Sequence, residues 1–190
     1  MSAGARQRLV ELLKSRAFER KRVLLASGRE SDFFIDCKQA VLSAEGHALV
    51  GKLMFEALAA WPRCAAVAGV ELGGCSLASA VALTSYQRGE PLDAVYVRKD
   101  AKDHGSRRLI EGNAHLPAGA RMALLEDVIT TGGSTLRAAA KLRDAGYEVA
   151  GVVVLVDRME GGREALEQAG LPVIAICTRA DFMSEDGQGV

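Results

Sequence analysis

The chain is poor in the residues that mark several large classes of protein. Its 190 residues include four cysteines, four prolines and one tryptophan, and aromatic residues make up only 5%. Cys37, Cys64, Cys75 and Cys177 form no CxxC pair and no zinc spacing, and the three histidines are too scattered to indicate a metal site. We therefore expect reduced cysteines, mostly in the core of a cytoplasmic protein.

An excess of charge of one sign and a long hydrophobic run are also absent. Lys+Arg and Asp+Glu balance at 24 each, whereas nucleic-acid binding by a whole surface needs a basic excess. No apolar run approaches the roughly 18 residues of a membrane span, and no amino-terminal segment has the apolar core of a signal peptide. We expect a soluble protein with no nucleic-acid or membrane partner, although the balance permits a local basic cluster.

Apolar runs of strand length alternate with helix-like stretches, and hydrophobic residues make up 49% of the chain, enough for a proper core. The predicted helices cover 6–18, 45–61, 75–87, 134–145 and 163–168. The predicted strands cover 23–26, 33–37, 65–70, 94–97, 122–125, 149–156 and 173–177. This alternation predicts one α/β domain with a central parallel sheet flanked by helices.

The most informative stretch is 123–135, which reads Ala-Leu-Leu-Glu-Asp-Val-Ile-Thr-Thr-Gly-Gly-Ser-Thr. A buried strand would end at Leu125 and leave Glu126 and Asp127 at its carboxyl end, where open α/β sheets bind ligands. The hydroxyl-rich turn would wrap the amino terminus of the next helix, which favours a phosphate. Carboxylates beside a phosphate loop suit a ribose 5-phosphate group. The alternative is a plain turn after a solvated strand end, but the order of the features favours a site.

A second unusual segment lies between the strands predicted at 94–97 and 122–125, where no convincing helix is found. Residues 98–108 carry five cations and a histidine, and long structureless loops in compact domains are usually functional or disordered. This loop could fold over an anion. The alternative is a solvated charged face.

Other ligand motifs are incomplete or missing. Residues 46–52 imitate the start of a phosphate-binding P-loop, but Leu53 stands where the metal-binding Ser or Thr should be. Neither a GxGxxG fingerprint nor a GxSxG nucleophile elbow is present. These absences count against kinase, dehydrogenase and hydrolase functions.

Taken together, these residues resemble the type I phosphoribosyltransferases, and within them the orotate phosphoribosyltransferases. The segment 126–134 is similar to their phosphoribosyl-pyrophosphate motif, and 98–105 is similar to the mobile catalytic loop of the orotate enzymes. Ser27-Gly28 with Ser31 and Phe33-Phe34 resembles their amino-terminal segment. Asp157-Arg158 matches the position of the arginine that contacts orotate. The resemblance extends from about residue 24 to about residue 158.

The resemblance implies an organisation for the whole chain. It implies one phosphoribosyltransferase domain over 1–190, in which about 1–43 form a small helix and strand subdomain, the hood, and about 44–180 form the α/β core. Residues 98–113 would be the mobile catalytic loop. In the family this loop reaches the site of a neighbouring subunit, which implies a homodimer with shared sites.

The resemblance also implies the reaction. Ribose 5-phosphate would pass from phosphoribosyl pyrophosphate to orotate, giving orotidine 5′-monophosphate and pyrophosphate in pyrimidine synthesis, with Mg²⁺ held through the substrate. The implied catalytic residues are Lys102, His104 and Asp127, and the implied orotate-binding residues are Phe34, Thr130 and Arg158. The implied phosphoribosyl-pyrophosphate-binding residues are Arg98, Lys99, Lys102, His104, Glu126, Asp127, Val128, Ile129, Thr130, Thr131, Gly132, Gly133 and Ser134.

Two positions depart from the family pattern. Ala26 and Gly73 stand where many members carry lysines. The pyrophosphate would then depend more on Mg²⁺ and on Lys102, and we hypothesise that Glu71 or a water helps to place the metal. Two rival functions stay open: a phosphoribosyltransferase for a purine or other base, and a ligand-sensing regulator that binds nucleic acid. Arg158 counts against the first, and the balanced charge counts against the second.

Overall fold

The computed structural model describes residues 2–24, 30–100 and 109–183. Within them the helices are α1 (Ala3–Arg16), α2 (Lys38–Val41), α3 (Ala44–Leu58), α4 (Gly73–Gln87), α5 (Gly133–Asp144), α6 (Gly162–Gln168) and α7 (Ala180–Met183). The strands are β1 (Phe18–Glu19), β2 (Val23–Leu24), β3 (Glu30–Ser31), β4 (Phe34–Ile35), β5 (Ala66–Val70), β6 (Asp93–Val97), β7 (Ile110–Glu111), β8 (Arg121–Ile129), β9 (Glu148–Asp157) and β10 (Val173–Thr178).

Six strands form the central sheet, in the order β10-β9-β8-β5-β6-β7. The first five are parallel neighbours, and β7 pairs antiparallel with β6 at one edge. Helices cover both faces, which is why β5 is buried along its whole length and contains no charged residue. The predicted α/β fold with a central parallel sheet is confirmed.

The side chains of β8 alternate between two hydrophobic clusters, as the two-residue period of a strand requires. Ala123 and Leu125 pack in the cluster that also contains residues of α1, α3 and α4. Met122 and Leu124 pack in the cluster that contains residues of α5 and α6. The central strand is therefore held from both faces up to its carboxyl end.

The amino-terminal part adds two small antiparallel sheets, one of β1 with β4 and one of β2 with β3. Phe33 anchors it, since its buried ring lies 5.0 Å from the ring of Phe18 and 5.6 Å from that of Phe182, measured between centroids. These elements lie in the amino-terminal region, and the division into a subdomain over about 1–43 stays a prediction. Its role as a hood stays a prediction.

Several predicted boundaries were wrong. The strand predicted to end at Leu125 continues to Ile129, because backbone pairing with β9 extends past the two carboxylates as far as the Ile129–Asp157 pair. The strand predicted over 33–37 shortens to β4, and a single helical turn, α2, follows it. The supposedly structureless stretch before Arg121 contains β7, whose pairing with β6 no local pattern signals.

All four cysteines are free, and three of them are buried while Cys75 is half-buried. None of the helices formed by the described residues combines the length and apolarity that crossing a bilayer requires.

The start of α4 packs so closely on β5 that Gly69 has no room for a side chain. A Cβ there would lie 2.1 Å from the carbonyl oxygen of Gly74, and backbone cannot move aside cheaply. We expect Gly69→Ala to lower the free energy of unfolding by about 2 kcal/mol or more, as overpacked cores do. Urea unfolding followed by circular dichroism measures this change.

Gly4→Ala is the matched control, because a Cβ at that helical position of α1 meets nothing within 4 Å. Alanine there should leave stability unchanged or raise it by up to about 1 kcal/mol. A Gly69→Ala protein as stable as the parent would contradict the close approach of α4 and β5.

Candidate active site

Two adjacent carboxylates stand near the end of β8. Glu126 is 5% exposed, and its Oε2 accepts hydrogen bonds from the hydroxyls of Thr135 at 2.9 Å and Ser134 at 3.3 Å. Both donors belong to the first turn of α5. Asp127 is half-buried, and its Oδ1 accepts from the N–H of Val128 at 2.9 Å. The pair lies at the carboxyl end of the sheet, as predicted, although inside the strand and not after it.

Gly73 allows Asp127 to lie against the start of α4. A Cβ on Gly73 would be 2.0 Å from Oδ2 of Asp127, so any side chain would displace the carboxylate. The peptide between Glu71 and Leu72, just before this glycine, is cis. Glycine at this position therefore leaves room for the carboxylate of Asp127. The family resemblance leads us to expect a lysine here in many members.

Burial shifts the protonation of the pair. Loss of solvent raises the pKa of Glu126 to about 8, and the negative charge of Asp127 adds to that shift. Burial also raises the pKa of Asp127, while the nearby ammonium of Lys38 opposes the change. Near neutral pH the pair therefore holds a proton, and a cation placed beside it would favour the fully ionised form.

The loop after β8 presents backbone N–H groups without a side-chain cap. Gly132 is the N-cap residue of α5 in the left-handed conformation, with φ 78°, and as a glycine it has no side chain to cap the first turn. Gly162 packs behind the loop, since a Cβ on it would lie 2.5 Å from the carbonyl oxygen of Thr130. Thr131 and Ser134 are exposed. A helix amino terminus of this kind binds a phosphate.

The remaining residues of this predicted segment contribute differently. Ile129 has its side chain in the core, 1% exposed, and its carbonyl accepts the N–H of Arg158. The side chain of Val128 packs against the cluster formed by α1, α3 and α4. Val128 and Ile129 can therefore contact a ligand through their backbone.

Arg98 and Lys99, the base of the cation-rich segment 98–108 (the cationic loop), lie beside this site. The N–H of Lys99 donates to Oε2 of Glu71 at 2.8 Å, and the N–H of Arg98 donates to the carbonyl of Leu109 at 2.8 Å. Lys102 and His104 lie outside the described residues, as do Ala26 and the Ser27-Gly28 turn.

Arg158 is buried at the end of β9 and reaches back to the amino-terminal segment. Its Nη2 donates to Oγ of Ser31 at 3.0 Å and to the carbonyl of Phe33 at 2.9 Å. Its Nε donates to Oε1 of Glu160 at 3.1 Å, and Nη2 also lies 2.9 Å from that oxygen. One edge of the guanidinium is therefore already paired with a carboxylate, and a ligand must use the other edge or displace Glu160.

Phe33 and Phe34 have separate roles. Phe33 is a core residue, whereas the half-buried ring of Phe34 has the ammonium of Lys21 4.0 Å from its centroid. Thr130 is half-buried where β8 ends. Through its bonds to Ser31, Phe33 and Ile129, Arg158 brings the predicted orotate residues into one region of the molecule.

The described part of the chain contains no group of three or more His, Cys, Asp or Glu side chains able to hold a metal. Magnesium commonly binds through one or two carboxylates together with substrate phosphates and water. Glu126 and Asp127 beside the amino terminus of α5 meet that requirement. The donor set therefore fits Mg²⁺ carried mainly by a phosphorylated substrate.

Sequence reasoning missed three residues near the site. Arg137, one turn after Gly133, has Nη1 3.4 Å from where a Cβ on Gly133 would be. Its helical spacing was a usable signal. Glu160 pairs with Arg158 and Gly162 supports the phosphate loop, and neither contact has a local signature because tertiary packing creates both.

Comparison with known proteins agrees with this geometry. The phosphoribosyl transferase domain family matches residues 44–169. The orotate phosphoribosyltransferase of Sorangium cellulosum (strain So ce56) is 70% identical over 187 residues, which cover 98% of this chain and 97% of that protein. The chain belongs to the orotate phosphoribosyltransferase family. That membership counts against the regulator and the purine enzyme as rivals.

Solved structures of this orotate phosphoribosyltransferase family give the same result. The Mycobacterium tuberculosis H37Rv enzyme in complex with Fe(III) dicitrate aligns with a TM-score of 0.81 at 40% identity, covering 95% of this chain and 99% of that one. The same enzyme in complex with 5-phospho-α-D-ribosyl 1-diphosphate aligns with a TM-score of 0.77 at 34% identity, covering 96% and 93%. The type I phosphoribosyltransferase fold is thus confirmed.

The raised pKa of Glu126 predicts how stability depends on pH. The folded state holds a proton up to about pH 8, whereas the unfolded carboxyl loses it near its ordinary pKa of 4.5. The contribution of Glu126 to stability is therefore fully present below the unfolded value and is lost as pH rises toward the folded value. Glu126→Gln should reduce that fall by on the order of 2 kcal/mol, measured by urea unfolding at pH 5, 6, 7 and 8.

Glu90→Gln is the control, because Glu90 is exposed and the same neutral replacement there should leave the parent slope unchanged. Equal slopes in the parent and in Glu126→Gln would show that Glu126 is ionised in the folded protein.

Proposed function

We propose that this chain is an orotate phosphoribosyltransferase that makes orotidine 5′-monophosphate and pyrophosphate for pyrimidine biosynthesis. The observation that carries the proposal is the Glu126–Asp127 pair directly before the uncapped amino terminus of α5. A ribose 5-phosphate group needs hydrogen-bond acceptors for its ribose hydroxyls, followed by hydrogen-bond donors for its phosphate.

The 5-phosphate would bind the backbone N–H groups of 131–134, where the helix dipole adds positive potential. Arg137 would add a full charge at the same end of α5. The ribose hydroxyls would bind Glu126 and Asp127. As the bond from the anomeric carbon to pyrophosphate breaks, positive charge develops on the sugar, and ionised Asp127 would stabilise it.

Pyrophosphate departs with the bonding electrons and several negative charges. Arg98 and Lys99 stand at the base of the loop that continues to Lys102 and His104, and these four residues would receive it. The carboxylates of Glu126 and Asp127 are available to Mg²⁺ or its waters. When bound, Mg²⁺ neutralises charge on the leaving group. Glu71 accepts the Lys99 N–H through Oε2, and its carboxylate would help to place the metal.

Orotate would lie between the end of β8 and the amino-terminal segment. Arg158 would pair with its carboxylate, Thr130 would hydrogen-bond the pyrimidine, and Phe34 would pack on the ring. Support comes from the bonds of Arg158 to Ser31 and Phe33, which hold the guanidinium beside the strand of Phe34. The ring nitrogen of orotate then loses its proton to solvent and forms the new bond to the anomeric carbon.

We also propose a cytoplasmic homodimer with shared sites. Large apolar side chains on or next to α4 are exposed among the described residues: Leu72 is 68%, Leu83 is 56% and Tyr86 is 75% exposed. A second copy of the chain would remove this apolar area from water.

The decisive experiment follows the fall in orotate absorbance with purified protein, phosphoribosyl pyrophosphate and Mg²⁺, beside adenine, hypoxanthine and uracil with product analysis. We expect turnover of orotate alone, and loss of turnover when the metal is chelated. Turnover of another base would keep the ribose-phosphate site and reject the orotate assignment. Binding of phosphoribosyl pyrophosphate without any turnover would favour the regulator.

Subunit mixing tests the shared sites. Lys102→Ala alone should lower turnover by at least about 100-fold, the scale of one lost transition-state contact. Mixing it with Asp127→Asn subunits should restore part of the activity, because one of the two sites in a mixed dimer receives an intact loop and an intact Asp127. No recovery after mass spectrometry has verified subunit exchange would mean that the loop serves its own chain.

A further inference from the structure

Lys141 of α5 makes two hydrogen bonds to the base of the cationic loop. Its Nζ donates to the carbonyl oxygen of Arg98 at 2.8 Å and to that of Lys99 at 2.7 Å. Hydrogen bonds from an ionised donor are roughly twice as strong as neutral ones. A half-buried lysine therefore holds two consecutive peptide groups of the loop against the helix.

The same two residues are held from other directions. Glu71 accepts the N–H of Lys99, and the carbonyl of Leu109, on the returning arm of the loop, accepts the N–H of Arg98. The main chain at Arg98 and Lys99 is thus tied to Glu71 just after β5, to Leu109 just before β7, and to α5. Of these three ties, the one through Lys141 leads to the helix that begins at the phosphate loop.

The tether lies on the ligand side of α5. Ser134, Arg137 and Lys141 follow one another at spacings of three and four residues, which place them on one face of the helix. Together with Arg98 and Lys99 they line one small cavity. The part of α5 between Gly133 and Lys141 therefore sets a distance. It separates the loop proposed to bind the 5-phosphate from the cations proposed to receive pyrophosphate.

We propose that Lys141 is a positioning residue for phosphoribosyl pyrophosphate, which fixes Arg98 and Lys99 relative to the amino terminus of α5. The two phosphate-bearing ends of this substrate are a fixed number of bonds apart. Lys141 fixes the distance between the two phosphate sites before the substrate binds. Binding then loses less free energy to ordering the loop. This inference rests on the proposed function.

Isothermal titration calorimetry with phosphoribosyl pyrophosphate and Mg²⁺ tests the proposal without using turnover. We expect Lys141→Met, which keeps the length of the side chain and removes its donors, to weaken binding by about 10-fold. Lys141→Arg can still donate to both carbonyls and should stay within about threefold of the parent. The control is Arg143→Met, an exposed site on the same helix with the same loss of charge, which should stay within about twofold.

A double-mutant cycle separates positioning from direct contact. In an Arg98→Ala/Lys99→Ala background there are no cationic side chains left to position, so Lys141→Met should weaken binding by less than about threefold more. A full effect in that background would mean that Lys141 binds the ligand itself or acts through the fold, and it would overturn the inference.

The remaining outcomes are also distinct. Parent-like binding by Lys141→Met would reject the inference and leave the proposed function intact. Absence of binding by the parent protein would reject both.

Discussion

The hydrogen bonds from Thr135 and Ser134 to Glu126 connect the central strand of the sheet to the helix that follows it. They fix the carboxyl of Glu126 beside Asp127, and burial raises the pKa of that carboxyl to about 8 although the two hydrogen bonds oppose the shift. A buried carboxyl is costly unless it is hydrogen-bonded or holds a proton. Glu126 accepts two hydrogen bonds and its pKa is raised to about 8, so its carboxyl can lie buried beside Asp127.

Backbone packing without side chains places the groups around this pair. Gly73 admits Asp127 to the start of α4, and Gly162 supports the loop at Thr130. Both contacts join segments that are far apart in the sequence. Each glycine removes a Cβ that would separate them, so the precision of the site depends on what these positions lack.

The distribution of charge explains how a neutral chain can bind a polyanion. The net charge is zero, yet Arg98, Lys99, Arg137 and Lys141 line one cavity along a face of α5. Lys141 donates to the backbone carbonyls of Arg98 and Lys99 and so adds rigidity. Arg158, in contrast, is paired with Glu160 and faces the amino-terminal segment. The phosphates of phosphoribosyl pyrophosphate and the carboxylate of orotate would therefore meet cations with different partners.

The sequence by itself determined the class of fold and the nature of the site. Apolar runs of strand length, the Glu126-Asp127 pair and the glycine turn are local patterns, because burial on both faces and a free helix terminus each constrain neighbouring residues. Only the tertiary structure decided that β8 continues past the carboxylates, that Glu160 holds Arg158 and that Lys141 tethers the loop. Those contacts join residues whose side chains meet through packing of separate elements, and no local spacing encodes such a meeting.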